Sequence, residues 1–325
     1  MSKLTPADLD RYVFSRTGAT NEDLLVGPAY GEDAAAVRVD EGTMVVSSDP
    51  ISLAAERIGQ LGVVVASNDV AACGGMPEWL VSTILLPDLD PERLDTITAQ
   101  VDAEADRLGI TVVGGHTESV SGLERPLLSL TCMGPAERYV PTSGAEPGDR
   151  VLLTKGAGVE ATAVLASDFR GDLLDAGVDA AVVDRAEGYF DDLSVLPESV
   201  VLSAVATAMH DPTEGGVLGG AVELARASGV VLDIAREAVP VREETRDCCD
   251  AMSLDPLSVL GSGAMLAAVP EAEADEALSA LEREGIEAAE VGRVEAVAGG
   301  DGPGVLLDGE LRAEAVEDGM YALWE

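Results

Sequence analysis

The stretch Ser67-Asn68-Asp69-Val70-Ala71-Ala72-Cys73-Gly74-Gly75-Met76-Pro77 decides most of what the sequence predicts about the fold. It closes a run from Leu53 to Cys73 that is rich in small apolar residues and is typical of a packed helix. A polar pair inside an apolar helix competes for backbone hydrogen bonds, so Asn68 and Asp69 need a specific reason to be there. We therefore expect this pair to have a functional role.

Four further clusters of glycine and polar residues lie where a predicted element meets a loop. Carboxylate oxygens in such clusters suit Mg²⁺, which proteins commonly share between carboxylates and substrate phosphates. Adjacent glycines let the backbone approach a phosphate and offer its N–H groups. Each cluster taken singly is a weak indication, because an isolated Asp beside Gly or Pro often only caps a turn. The clusters are Gly31-Glu32-Asp33-Ala34-Ala35, Ser47-Ser48-Asp49-Pro50, Gly114-Gly115-His116-Thr117-Glu118 and His210-Asp211-Pro212-Thr213-Glu214-Gly215-Gly216.

Three polar residues stand out for their surroundings. His116 and His210 are the only histidines of the chain, and both lie in these glycine-rich clusters. Lys155 follows a predicted strand and precedes Gly156-Ala157-Gly158, which predicts a lysine that faces a phosphate. Asp211 has a simpler alternative role as the N-cap of a helix.

The predicted elements mix helices and strands on both sides of one irregular segment. Residues 134–149 contain several prolines and glycines and cannot form a regular element. We therefore predict an N-terminal domain over residues 1–140 and a C-terminal domain over residues 141–325, each of α+β or α/β class. The main predicted helices are at residues 53–73, 91–108, 157–167, 198–209 and 214–228, and two of the predicted strands are at residues 79–86 and 110–113.

Composition limits the classes of partner. The chain has 325 residues, 20 Lys and Arg against 60 Asp and Glu, and a net charge of −40, with no visible basic patch. Such a charge argues against binding to nucleic acid or to a membrane surface. The sequence shows neither a signal-peptide core nor an apolar run long enough to span a bilayer, so we expect a cytoplasmic protein. Acidic residues spread along the whole chain resemble the cytosolic proteins of salt-loving microbes, and an acidic partner-binding surface is the alternative.

Familiar catalytic signatures are missing from the sequence. It has no P-loop, no GxSxG elbow and no HExxH motif, which argues against P-loop NTPases, serine hydrolases and zinc proteases. The four cysteines form neither a CxxC pair nor a zinc spacing. We expect reduced, structural thiols, with a redox pair at Cys248-Cys249 as the alternative.

The order of the clusters resembles the aminoimidazole ribonucleotide (AIR) synthase superfamily, also called PurM-like. This superfamily includes AIR synthase, the hydrogenase maturation protein HypE, thiamine-phosphate kinase and selenophosphate synthetase. The resemblance covers nearly the whole chain and is most specific at four motifs. They are Gly31 to Ala35, similar to GDDAA; Asn68 to Pro77, similar to NDVAA-x-GA-x-P; Gly114 to Glu118, similar to GGDT or GGHT; and Asp211 to Gly216, similar to the HypE-type DPTRGG.

The resemblance implies a fold and a set of site residues. It implies an N-terminal domain whose strands help to build a β-barrel in a homodimer, and a C-terminal α/β sandwich domain. ATP would lie in a cleft at the dimer interface, with Mg²⁺ held by acidic residues. Of the predicted residues, Asp69, His116, Asp211 and Lys155 are assigned to catalysis; Asp33, Asp49, Asn68, Gly114, Gly115 and Thr117 to cofactor binding; and Asp33, Asp49, Asp69 and Asp211 to the metal.

Departures from the family pattern bear on the reaction. HypE carries its substrate on a C-terminal cysteine, whereas this sequence ends in Trp324-Glu325, so dehydration on its own tail is not expected. Selenophosphate synthetase needs a reactive Cys or selenocysteine with a nearby Lys before the first acidic motif, whereas the residues before Gly31 contain no Cys and no Lys other than Lys3. The resemblance thus implies a HypE-like enzyme that uses ATP and Mg²⁺ to phosphorylate or activate an oxygen of a small molecule or of a carbamoyl or amide group. The alternative is a non-catalytic nucleotide-binding regulatory or maturation partner protein, favoured by His116 where many relatives carry Asp, and a partner protein could also supply the missing tail.

Overall fold

The computed structural model describes residues 6–9, 14, 21–40, 42–52, 55–88, 90–299 and 302–324. Within these residues the chain forms two sheets, whose strands come from the segments before and after residues 137–149. The division predicted between residues 140 and 141 falls inside that connecting segment. Among all the residues that the structure describes, no helix combines the length and the apolar character that crossing a bilayer requires.

The segment before residue 137 forms a mixed sheet with helices on it. Its strands are β1 (Leu24–Val26), β2 (Ala35–Val39), β3 (Gly42–Ile51), β4 (Trp79–Leu86), β5 (Thr111–Ser119) and β6 (Leu127–Ala136), and its helices are α1 (Pro6–Leu9), α2 (Ile58–Ala72) and α3 (Pro91–Leu108). The strand order is β1-β2-β3-β6-β4-β5, in which β4 and β5 are parallel and the other pairs are antiparallel. Strand β5 therefore lies at an edge of the sheet.

Helix α3 has the bounds that the sequence predicts. The Asp90 carboxylate accepts hydrogen bonds from the backbone N–H groups of Glu92 (3.0 Å) and Arg93 (3.3 Å), and Pro91 occupies the first turn. Gly109 ends the helix in the left-handed conformation, with φ of 73°. These start and stop signals are local, which is why the sequence alone locates this helix.

Helix α2 is the central element of the molecule, and all its residues are buried. It packs on β3 and β6 on one side and on α3 on another. A side chain at Gly59 would place its Cβ 2.4 Å from the carbonyl oxygen of Ile97, so the close approach of α2 to α3 requires glycine there. The helix begins at Ile58, after a short 3₁₀ turn, rather than at Leu53, and residues 53 and 54 lie outside the described residues.

The segment after residue 149 forms the second sheet and most of the helices. Its strands are β7 (Arg150–Thr154), β8 (Ala208–His210), β9 (Val231–Ile234), β10 (Leu266–Val269), β11 (Ala288–Glu295), β12 (Gly304–Leu307) and β13 (Glu310–Arg312), in the order β13-β12-β9-β11-β7-β10-β8. Its helices are α4 (Val159–Asp168), α5 (Arg170–Asp175), α6 (Ala180–Glu187), α7 (Leu196–Leu202), α8 (Gly216–Ser228), α9 (Glu243–Met252) and α10 (Glu271–Arg283).

Helices cover both faces of the second sheet. On one face Leu153 and Leu266 pack in a core with residues of α8, such as Ala221. On the other face Leu152 packs with residues of α7 and α10, such as Leu281. The two sheets with their helices confirm the predicted two-domain, mixed α and β architecture, and the second domain has the predicted sandwich of helices around a sheet.

Two predicted elements differ from the observed ones. The predicted helix at 198–209 ends at Leu202, and residues Ala208–His210 form strand β8 instead. Pairing with β10, in which His210 lies opposite Leu266, overrides the local helical preference. The predicted strand at 110–113 continues to Ser119 because its whole length pairs with β4, and it therefore includes the cluster that begins at Gly114.

Candidate functional site

The candidate site is a pocket of about 360 Å³ between the two domains. The N-terminal domain contributes residues at the start of β2, at the end of β3 and along α2. The C-terminal domain contributes the start of α4, the segment that follows β8 and part of α8. Asp33, Asp49, Asp69 and Asp211, the four predicted metal ligands, all line this pocket.

Asp69 and Asp49 are linked by one hydroxyl group. The Ser47 Oγ donates a hydrogen bond to Asp69 Oδ2 at 2.5 Å and lies 3.4 Å from Asp49 Oδ2. Ser47 and Asp49 are both on β3, and alternation along a strand points their side chains to the same face, towards α2. Burial raises the pKa of Asp69 well above its usual range, and neighbouring carboxylates, Asp49 first, add to the rise.

Asp33 is held by residues of the second domain. Its Oδ2 accepts a hydrogen bond from Thr142 Oγ1 at 3.1 Å, and its Oδ1 lies 2.6 Å from Nδ1 of His210. The other ring nitrogen of His210 lies 3.2 Å from the carboxylate of Glu223 on α8. Burial by itself lowers the pKa of His210, but the carboxylates of Asp33 and Glu223 outweigh burial and raise it well above its usual value. This direction favours the protonated imidazole, whose two ring nitrogens lie beside the carboxylates of Asp33 and Glu223.

Asp211 is buried in the site without a hydrogen-bond partner for either of its carboxylate oxygens among the described residues. It follows β8 directly and is 1% exposed. Burial raises its pKa well above the usual range, and the charge of Asp33 adds to the rise. A buried carboxylate without a partner is costly, so its position indicates a cation that is bound in the functional state.

The charge of the pocket also indicates cations. Eight carboxylate side chains line it, and none of its described lining residues is Lys or Arg. Such a site repels phosphate unless metal ions intervene. In the described part of the chain, no three side chains are arranged as one complete set of metal ligands. That arrangement differs from a closed zinc site but fits Mg²⁺, which usually takes one or two carboxylates and completes its shell with water and substrate phosphates.

Two predicted site residues, Asn68 of the N-terminal domain and Lys155 of the C-terminal domain, lie outside the pocket and contact the same segment, residues 192–195. Asn68 is fully buried; its Nδ2 donates to the carbonyl oxygen of Leu193 (2.8 Å), and its Oδ1 accepts from the N–H of Val195 (3.0 Å). Lys155 Nζ lies 2.7 Å from the buried Glu198 carboxylate and donates to the carbonyl oxygens of Asp192 and Ser194, also at 2.7 Å. Both side chains thus fasten segment 192–195. Lys155 does not line the pocket, and its contact with a phosphate stays a prediction.

Four other predicted residues lie on the edge strand β5 and do not reach the pocket of a single chain. They are Gly114, Gly115, His116 and Thr117. His116 is exposed, and its nearest charged group is Glu118 on the same strand, 3.6 Å away. A Cβ at Gly115 would lie 2.1 Å from the carbonyl oxygen of Ser82, so packing against β4 is a sufficient reason for glycine there. Phosphate contacts by this strand stay a prediction that depends on a second copy of the chain.

The structure adds site residues that the sequence did not single out. Thr142 and Glu223 lie in no recognisable motif, and only the fold brings them to Asp33 and His210. Glu160 also lines the pocket, and burial raises its pKa to about 7. It is the one charged residue in the apolar run from Gly156 to Ser167, which is the same kind of signal that identified Asp69.

Comparisons with known proteins identify the family and the fold. The family described as AIR synthase related protein matches with its N-terminal domain at residues 31–136 and with its C-terminal domain at residues 146–302. A selenide, water dikinase of Geobacter metallireducens is 32% identical over 254 residues, covering 76% of this chain and 71% of its own. The carbamoyl dehydratase HypE of Azotobacter vinelandii is 31% identical over 275 residues, covering 81% of this chain and 78% of its own.

A solved structure extends the likeness to three dimensions. The hydrogenase maturation protein HypE in complex with ATP superposes with a TM-score of 0.69 at 25% identity, covering 95% of this chain and 89% of that chain. The two-domain PurM-like fold that the motif order implies is therefore confirmed. With both domains of the family matched in order, the chain belongs to the family of AIR synthase related proteins.

Proposed function

We propose that this protein is an enzyme that binds ATP with Mg²⁺ in the pocket between its domains and uses the ATP to phosphorylate or activate an oxygen of an acceptor. The single observation that carries the proposal is the buried, unpartnered carboxylate of Asp211, which lines one pocket with Asp33, Asp49 and Asp69. Relatives that use or bind ATP support it, because a HypE structure contains ATP. The proposed acceptor is a small molecule or a carbamoyl or amide group, as the family resemblance implies.

The site residues have distinct tasks in this proposal. Asp33, Asp49, Asp69 and Asp211 would hold Mg²⁺, which would offset the charge of the phosphates and of the reaction they undergo. Ser47 keeps the carboxylates of Asp49 and Asp69 close together. Asp33 in turn lies against the ring of His210 and accepts a hydrogen bond from Thr142. Both arrangements fix the carboxylates through contacts within the chain, which would reduce the reorganisation that the reaction requires.

We also infer that the protein works as a homodimer formed along β5. All nine residues of this edge strand are exposed, including Val113 at 54%. An exposed edge strand with apolar residues is a template for pairing with another chain. A second copy there would build the predicted barrel and bring His116 and its neighbours to a site between two chains. We place this dimer in the cytoplasm, in keeping with four free, buried thiols.

The acceptor does not carry over from the relatives. The two curated relatives are about equally similar to this chain, yet one is named for selenide and water and the other for carbamoyl dehydration. Function in such a family depends on the individual site rather than on the fold. The proposal therefore includes two kinds of acceptor, a small metabolite and the tail of a partner protein.

Titration calorimetry tests the proposed nucleotide site. Wild type, Asp211→Asn and Asp69→Asn are titrated with ATP in concentrated KCl, with Mg²⁺ and with EDTA, and ADP release is measured alongside. Asp275→Asn, an equal change of charge on the exposed face of α10, is the matched control. We expect saturable binding that requires Mg²⁺, is weakened by about tenfold or more in both site variants and is unchanged in the control.

Two results would contradict the proposal. Absence of ATP binding to a folded wild-type dimer would exclude the nucleotide site. Binding without any ADP release, in the presence of a broad set of acceptors, would favour the non-catalytic regulatory or maturation protein, for which His116 in place of Asp is the supporting observation.

A further inference from the structure

We propose that the end of the pocket around Glu160 binds the acceptor and selects an acceptor that carries an ammonium or amidinium group. This inference rests on the proposed function, which assigns the other end of the pocket to the phosphates and Mg²⁺. It names a residue, Glu160, and a class of ligand that the family motifs do not specify.

The pocket has two ends that differ in chemistry. Leu61, Val65 and Asp69 all line it, and their spacing of four residues places them in one stripe along α2. At about 1.5 Å per residue, Leu61 lies about 12 Å along the helix axis from Asp69. The pocket thus extends from the carboxylates at Asp69 to an apolar wall formed by Leu61, Val65 and Leu260. That length leaves room for an organic group beyond the phosphate end.

Glu160 lies at the apolar end and is fixed in place. It is 5% exposed and sits in the first turn of α4, and its Oε2 accepts a hydrogen bond from the N–H of Ser262 at 3.3 Å. The N–H of Ala161 donates to the carbonyl oxygen of Leu260 at 3.0 Å, which ties α4 to the same loop. In the described part of the chain, no Lys or Arg forms an ion pair with Glu160. A buried acid that faces a pocket without a cationic partner indicates a ligand that supplies one.

The charges around Glu160 favour a cation over a neutral acceptor. The carboxylates that act on it are Asp318 and Glu214, whereas the four aspartates at the other end act on one another. Tyr321, in the C-terminal segment, is a further titratable group, whose pKa is raised by burial and also by the charge of Glu160. Helix α2 contributes the aliphatic side chains of Leu61 and Val65 to this end of the pocket. An ammonium or amidinium group would offset this negative charge, and its carbon skeleton would pack on the aliphatic wall. A neutral ring such as adenine would leave the charge unbalanced.

The protonation state of Glu160 makes the binding of a cationic ligand depend on pH. Burial, with the charges of Asp318 and Glu214, raises its pKa to about 7. A cationic ligand binds the ionised form, which rises from about one tenth of the molecules at about pH 6 to about nine tenths at about pH 8 for such a pKa. Amine affinity should therefore increase by about tenfold over that interval, while the affinity for a matched alcohol should not change.

Matched pairs of small ligands test the proposal on the full-length protein. The probes are butylamine, ethanolamine and benzylamine against butanol, ethylene glycol and benzyl alcohol, with binding followed by ligand-observed NMR, with and without Mg²⁺ and a non-hydrolysable ATP analogue. The variants are Glu160→Gln, whose amide oxygen can still accept from Ser262, and Glu273→Gln, an equal change of charge on an exposed face of α10. Unfolding temperatures establish that both variants are folded.

The expected result is a preference for amines that depends on Glu160. Wild type and Glu273→Gln should bind each amine about tenfold more tightly than its alcohol, because charge-assisted hydrogen bonds are roughly twice as strong as neutral ones. Glu160→Gln should lose this preference and keep the affinity for Mg²⁺ with ATP. The proposal is overturned if wild type shows no preference, if Glu160→Gln retains it, or if Glu160→Gln weakens ATP binding, which would assign this end to the nucleotide. Failure of wild type to bind ATP at all would instead remove the proposed function, while the amine preference can still be measured without nucleotide.

Discussion

Replacing Asn68 should show whether this residue stabilises the contact between the two domains or binds the cofactor. The structure gives it one task, because both ends of its amide bind backbone groups of the second domain, the carbonyl oxygen of Leu193 and the N–H of Val195. In Asn68→Ala both of these groups lose their partner inside a buried interface. A buried polar group left without a partner costs about 1–3 kcal/mol, so the free energy of unfolding should fall by about 2–6 kcal/mol.

The neighbouring residue provides a matched control. Ser67 is equally buried on the same helix, but its hydroxyl donates only to the carbonyl oxygen of Val64, one turn earlier. Its replacement by Ala leaves no group of the other domain unsatisfied, so we expect a loss of less than about 1 kcal/mol. Urea unfolding followed by circular dichroism measures both variants, and calorimetry measures their affinity for ATP with Mg²⁺.

The two assays together can refute this assignment. If Asn68→Ala is within about 1 kcal/mol of Ser67→Ala in free energy of unfolding, the contacts to the second domain do not stabilise the protein as argued. If Asn68→Ala also loses ATP affinity while it remains folded, the role in cofactor binding that the sequence predicts for Asn68 is the correct one.

Four further predictions address other parts of the molecule. The pKa of Glu160 is raised from 4.5 to about 7 in the folded state, so the stability that its protonated form contributes is complete below about pH 4.5 and is lost as the pH rises to about 7. Over this interval the free energy of unfolding of wild type should fall by about 3 kcal/mol relative to that of Glu160→Gln, as measured by urea unfolding at several pH values. Lys155→Met should lower the free energy of unfolding by about 3–5 kcal/mol, because it leaves the Glu198 carboxylate buried and unpaired. The double variant Lys155→Met with Glu198→Gln should recover part of this loss, and the affinity for ATP should be unchanged in both variants. Val113→Asp on β5 should convert the dimer to monomers in light scattering, and a wild type that is already monomeric would contradict the proposed assembly. Thermal unfolding in increasing KCl should show a rising midpoint, because salt screens the repulsion within a chain of net charge −40, and a flat response would contradict the halophilic interpretation.

Much of the fold follows from signals contained within short stretches of the sequence. The bounds of α3 are set by Asp90, Pro91 and Gly109, which all lie at its own ends. Four of the eight carboxylates that line the pocket can be predicted from the sequence, because each of these aspartates lies in a short polar or glycine-rich cluster at the junction of an element and a loop. The order of the motifs predicts the family, and the irregular segment at residues 134–149 predicts the division into two domains.

Only the tertiary structure determined what several of these residues contact. Asn68 and Lys155 looked like ligand-binding residues from their local sequence, yet their partners lie up to 127 positions away along the chain and belong to the fold. Residues 208–210 form a strand because β10 lies beside them, and Glu160 gained its raised pKa from burial between two domains. The sequence by itself thus determined which polar residues are unusual and where local elements begin and end. The three-dimensional packing decided which of them meet a ligand and which meet another segment of the chain, because the energy of a buried polar group depends on neighbours that are distant in sequence.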